Sequence, residues 1–175
     1  MAIGDETWVR FLWAFQTWAT ERVFAAAASL PDLRIAGVIA GGQGDGSLHE
    51  TLAHIEATER HWLRRWEGDA LSQIKHGADY RDLAAIVDEW RVTNGRRVTW
   101  LGSLPPGGLE AEVRFVRSDG AEDAQVVWQT ILHVANHTTH HRSEACVALT
   151  AAGAPPQSVD LVTFIRSGGP GADGV

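Results

Sequence analysis

Trp128-Gln129-Thr130-Ile131-Leu132-His133-Val134-Ala135-Asn136-His137-Thr138-Thr139-His140-His141-Arg142 is the stretch from which the fold of this chain follows. Trp128, Ile131, Leu132 and Val134 recur at the three- and four-residue spacing that lines up side chains along one side of an α-helix, and Val147 and Leu149 extend the pattern. The spacing predicts a helix from near Glu122 to about residue 152. Gly153 marks its end. Pro155 and Pro156 forbid continuation, because proline lacks the amide hydrogen and clashes with the preceding turn. Three of the eight histidines lie inside this segment, His133, His137 and His141, at i, i+4 and i+8. A helix turns about 100° per residue, so each is rotated from the last by only about 40°, and His137 and His141 stack one turn apart on one face.

Working outward, three more segments carry the helical period. Over residues 6–29, Trp8, Phe11, Leu12, Phe15, Trp18, Ala19, Val23 and Ala26 form one apolar stripe, with Asp5 placed to cap its start and Pro31 to stop it. Residues 47–66 open with Ser47 and Glu50 in the Ser-x-x-Glu spacing of a capping box, where each side chain accepts from the other's backbone N–H. Leu52, Ile55, Trp62 and Leu63 follow, and Gly68 ends the segment. Residues 80–101, opened by Asp79, carry Leu83, Ile86, Val87, Trp90 and Val98, and Pro105-Pro106-Gly107-Gly108 break the chain after them. Gly41, Gly42, Gly44 and Gly46 predict a mobile loop between the first two helices. Residues 111–117 partly alternate and precede Ser118-Asp119-Gly120, which predicts a short strand and turn, as a hairpin on one end of the bundle. The chain therefore reads as all-α, a single four-helix-bundle domain over residues 1–165. Residues 166–175, with four glycines and one proline, read as a flexible tail.

Composition narrows the function classes. The 175 residues carry a net charge of -7 with no basic run, which argues against nucleic acid, whose phosphates are held chiefly by Lys and Arg. One cysteine, Cys146, excludes an internal disulfide framework and fits a reducing compartment. Asp5, Glu6 and Arg10 interrupt the first stretch, unlike a signal peptide, and the longest charge-free apolar run, Val23 to Leu30, is too short for a bilayer. A soluble cytoplasmic protein without membrane or nucleic-acid partners is expected.

The HxxxH spacing of His137 and His141 is the one by which a helix donates two imidazoles to a metal. No Glu follows His137 directly, so the zinc-protease pattern with its general base is absent. A third ligand must come from elsewhere. On the second helix His54 and His61 share a face but stand roughly 10 Å apart along the axis, so one of them suits the ion. His54 sits among Leu52, Ala53 and Ile55 and faces the interior, whereas His61, near Arg60, Arg64 and Arg65, lies closer to a wet helix end. His54, His137 and His141 are the expected ligands, with His61 or His133 next in line. His133 and Glu144 are placed to hydrogen-bond a ligand imidazole. His49, His76 and His140 read as surface or rim residues, His140 nearest the site mouth. Cys146, nine residues after His137, faces the opposite side of the helix and reads as core. No catalytic side chain is assigned. Imidazole suits zinc, nickel, copper or iron. Zinc is expected on availability, with nickel, iron or manganese as alternatives.

The stretch Ser47-Leu48-His49-Glu50-Thr51-Leu52-Ala53-His54-Ile55 with Trp62-Leu63 resembles the second helix of the DinB family (DinB/YfiT-like metalloenzymes), and Trp128 to Arg142 resembles its last bundle helix. The resemblance covers roughly residues 8–165 in the same helix order. It implies a four-helix bundle with a long crossover connection and a metal held by three histidines, matching His54, His137 and His141. Where many members read His-Arg-Gly-Gln, this chain has His141-Arg142-Ser143-Glu144. Relatives with known activity include transferases and isomerases that use bacillithiol, mycothiol or glutathione, and members often form homodimers. The resemblance therefore implies a small-molecule substrate, a thiol cosubstrate and a homodimer. Transfer of a low-molecular-weight thiol onto an electrophile is the expected chemistry. A metal-dependent hydrolase or a non-catalytic stress-response metal-binding bundle are the alternatives.

Overall fold

The computed structural model describes residues 6–33, 39 and 42–169. The cap expected from Asp5, the glycine at 41 and residues 170–175 lie outside the described residues. Four long helices, α1 (Thr7–Ala27), α2 (Leu48–Trp66), α3 (Leu83–Gly102) and α4 (Val127–Ala151), form a bundle. A hairpin of β1 (Glu112–Val116) and β2 (Glu122–Val126) precedes α4, and a short α5 (Leu161–Arg166) follows it. α2 packs on both α3 and α4, whereas α1 packs on α4 and only lightly on α3. The two helices that are first in sequence therefore stand on a diagonal. No helix among the described residues is long and apolar enough to span a membrane.

The helix starts show where sequence and structure part. Ser47 Oγ accepts from Glu50 N–H (3.1 Å), the first half of the capping box. The reciprocal half is missing: the Glu50 carboxylate accepts from Gly77 N–H (3.0 Å), and Asp45 satisfies the Ser47 amide instead (2.8 Å). Helix α3 starts at Leu83, not at Tyr80, and Asp82 is its cap, accepting from Ala85 N–H at 3.0 Å. Asp79 instead accepts from His76 N–H (2.8 Å) across the 3₁₀ turn Gly77–Asp79, because Tyr80 must stay extended to bury its ring and bring its hydroxyl to Glu56.

Helix α4 likewise starts at Val127, five residues later than expected from Glu122. Residues 122–126 pair antiparallel with 112–116, in the register Glu112↔Val126 to Val116↔Glu122. The turn closes as Arg117 N–H donates to Ala121 O (2.8 Å) and Gly120 takes φ +83°, a left-handed conformation open to glycine. The hairpin lays Val113 and Phe115 on the end of the bundle, over Trp62, Trp66 and Leu63. It buries what the sequence suggested was a wet end of α2: Arg65 is only 8% exposed. Two apolar clusters fill the interior. One gathers Val23, Leu52, Ile55, Ile86, Trp90 and Leu149, the other Val9, Trp13, Trp66, Trp100 and Ile131. Val98 and Val147 stand off the buried stripes at 61% and 72% exposed. α5, unforeseen in a segment too short to show a period, inserts Phe164 beneath Phe11, Phe15 and Trp18.

Between the apolar clusters lies a layer of buried charge. Glu59 is ion-paired to Arg97 (2.9 Å) and accepts from the Thr138 hydroxyl (2.9 Å). Arg142 donates to Gln16 Oε1 (2.6 Å), and the Gln16 amide donates to Ala135 O (3.2 Å). Glu56 takes hydrogen bonds from Tyr80 and from Thr93 (3.1 Å), and burial raises its pKa. Each helix of the bundle contributes to this layer, so it ties the packing register of all four. Pairing of this kind offsets the cost of desolvating a charge in a core.

Candidate metal centre

On the seam between α2 and α4, His54 meets His137 and His141. The Nε2 atoms of His54 and His137 are 3.1 Å apart. The ring centroids of His54 and His141 are separated by 4.6 Å, and those of His137 and His141 by 4.4 Å. One nitrogen from each of the three lies within 4.8 Å of the others. The one-turn stacking of His137 and His141 follows from their i, i+4 spacing, and α2 runs past at the height that adds His54.

The donor set fits a divalent ion. Nitrogens about 2.0–2.1 Å from a tetrahedral zinc are about 3.3 Å from each other, close to the His54–His137 separation. His141 Nδ1 contacts Glu144 Oε2 at 2.7 Å, which leaves its Nε2 free for an ion. The other Glu144 oxygen meets His140 Nε2 at 3.2 Å, so both carboxylate oxygens are engaged. His137 Nδ1 is buried without a hydrogen-bond partner. With Nε2 as the ligating atom, that orphan costs about 1–3 kcal/mol and an ion would not relieve it.

Electrostatics prepare the same nitrogens. Burial pulls the His54 pKa down to about 4, helped by the neighbouring His141, with Glu144 opposing. His137 falls to about 3, again through burial first and then through His141, His54 and His133. Both imidazoles are therefore neutral at pH 7 and offer lone pairs, which is the ligating form.

The remaining expected residues are placed as follows. His133 is exposed, its ring edge-on to Trp62 (5.5 Å) and 5.9 Å from that of His137. His140 and His76 are exposed. His61 is half-buried, with Nδ1 3.1 Å from Ser72 Oγ. His49, expected at the surface, is buried at 3% exposure and contacts Gly77 O at 3.0 Å, because the 3₁₀ turn folds over it. Cys146 is half-buried and packs against the apolar cluster. Sequence reading gave no role to Glu59, Arg97 or Arg142. A charged residue set among apolar helix neighbours is the signal that could have marked them.

Comparison with protein-family models finds a match to the DinB family over residues 9–172. That match spans nearly the whole chain. The protein belongs to the DinB family. No curated protein matches the chain. Within this DinB chain, Ser143, which stands where many relatives carry glycine, is exposed and donates to Thr139 O (2.8 Å).

Proposed function

We propose that this DinB protein is a cytoplasmic, metal-dependent transferase that attaches a low-molecular-weight thiol to a small electrophile. The observation that carries the reading is the all-imidazole donor set: His54, His137 and His141 would add no negative charge to a bound ion and would leave coordination positions open, the pattern of a catalytic rather than a structural site. A divalent ion bound there, zinc in the first instance, supplies a positive charge that favours the thiolate form of a bound thiol near neutral pH. The chain's own residues hold and aim. His137 and His141 are fixed by the α4 helix, His54 by α2, and Glu144 accepts the Nδ1 proton of His141, fixing its tautomer and ring angle. Cys146 supplies no nucleophile, since it packs in the apolar cluster and burial raises its thiol pKa. Hydrolysis is disfavoured because Glu144, the nearest carboxylate able to act as general base, has both oxygens engaged by histidines. The reading extends to a homodimer as the working unit.

Protein purified without a nickel column and loaded with zinc should transfer a thiol from a panel of glutathione, bacillithiol and mycothiol onto a generic electrophile. Activity should require metal and thiol together and survive Cys146→Ser. Transfer by metal-free protein, or its loss in Cys146→Ser at full metal occupancy, would overturn the mechanism.

A further inference from the structure

Farther along α2 from the candidate metal centre, a cleft of about 840 Å³ lies between α2, the chain that follows it and the end of β1, with His61, Arg65, Ser72, His76, Phe115 and Arg117 among its walls. In a chain with 22 acidic residues, none of the described residues lining this cleft is acidic. Arg65 is its most unusual wall. It is only 8% exposed, yet among the described residues no carboxylate forms an ion pair with it. Its guanidinium is held by the faces of Phe115 (4.1 Å) and Trp62 (4.9 Å) and by one bond to Val116 O (3.0 Å). Its Nε is buried without a partner.

Among the described residues, every other guanidinium buried this deeply has a charged or amide partner: Arg97 has Glu59, and Arg142 has Gln16. A desolvated, always-charged group without an anion in contact is costly unless a ligand supplies one. Burial accordingly pushes the Arg65 pKa down, with Asp123 the carboxylate that partly opposes it. The Phe115 and Trp62 rings, edge-on to each other at 5.2 Å, both lie against the guanidinium and restrict it, and its planar fork suits a carboxylate. Arg117 adds a second cation at the rim, shared with Asp119 (2.5 Å). At the other end of the cleft His76 is close enough to act electrostatically on His54.

We infer that this cleft binds the carboxylate end of the thiol cosubstrate, with Arg65 as its anchor, and that the ligand runs along α2 toward the histidines. The inference rests on the thiol reading above and deepens it. Eleven residues separate His54 from Arg65, about 16 Å of helix rise, so a ligand reaching both is of tripeptide size. It excludes a neutral thiol as the preferred one.

The test uses the zinc-loaded full chain and thiols whose sulfur is blocked by methylation, so that binding is read apart from transfer. S-methylated glutathione and S-methylated bacillithiol carry carboxylates, and S-methylated mycothiol carries none. Tryptophan fluorescence or calorimetry should show at least one of the acids binding about tenfold or more tighter than the neutral compound and than its own ester, the scale of a charge-assisted bond. Arg65→Met should erase that preference, and Arg117→Gln, at an exposed position that does not threaten folding, should reduce it. Equal binding of acid and ester, no binding of either acid, or an unchanged preference in Arg65→Met would overturn the inference. The wild-type comparison of acid with ester decides the matter even if Arg65→Met does not fold. A preference lost in Arg65→Met alongside absent thiol transfer would uphold the anion site while refuting the transferase.

Discussion

His137 and Thr138 are neighbours in α4, yet they face two different polar environments. Thr138 turns inward, is fully buried, and donates to Glu59, which is itself paired with Arg97. His137 turns to the α2–α4 seam, where its Nε2 faces another imidazole and its Nδ1 has no partner. The inner layer pairs its charges, with Arg97 Nε left without a partner, and its effect is to fix how four helices meet. The seam is open: nitrogens are held neutral, close together and incompletely bonded. Polar groups that complete one another stabilise a fold, whereas polar groups held short of completion are arranged for something that arrives from outside.

The sharpest way to test this contrast is to remove one member from each region. Replacing His54, His137 or His141 with Ala should each strip most of the bound metal, measured by elemental analysis, while His76→Ala should strip none. Full metal content in His54→Ala would move the α2 ligand to His61. The complementary change, Glu59→Ala, leaves Arg97 without its ion pair in the core and should cost about 3–5 kcal/mol. That corresponds to a melting temperature lower by roughly 10 °C or more in a chain of this size, read by circular dichroism, whereas His54→Ala in metal-free protein should melt close to wild type. Equal melting of the two variants would erase the distinction between the regions.

A smaller effect comes from acid. The folded pKa values of His54 and His137, about 4 and about 3, lie below the ordinary imidazole value of 6.5, as does that of His61 at about 4. Between these values and 6.5 the unfolded chain binds more protons than the folded one, so stability rises with pH across that window. The contribution is present in full above pH 6.5 and is lost progressively as pH falls through about 4 to 3. Denaturant unfolding of metal-free protein at pH 7.0, 6.0 and 5.0 should show this decline, shallower in the double variant His54→Gln, His137→Gln. An identical slope in that variant would assign the acid sensitivity to other groups.

The bundle was legible because four apolar stripes of helical period are separated by proline and glycine stops, signals that act within a few residues. The three histidines were legible for the same reason, since i, i+4 spacing and one interior-facing imidazole require no knowledge of packing. What escaped was set at a distance. Glu50 abandons its local cap for Gly77, Tyr80 stays extended to reach Glu56, and residues 122–126 leave the helix to pair with 112–116. Arg65 looked solvated because nothing in its own neighbourhood says that Phe115, fifty residues on, will cover it. Each miss is a tertiary partner overriding a local preference.

The hairpin that covers Arg65 has a consequence for how such a protein changes over generations. The clustered histidines of the candidate metal centre are borne by α2 and α4, whose spacing is locked by the buried charge layer. The walls of the neighbouring cleft come partly from β1 and from the chain between α2 and α3. The turn Ser118-Asp119-Gly120 is exposed at the far end of that hairpin, where insertions and substitutions are best tolerated. Mutational drift there can reshape what the cleft admits without moving a metal ligand. On the proposed function, heritable variation in selectivity is thus uncoupled from the chemistry, and a lineage could sample new ligands while its three-histidine cluster stays intact.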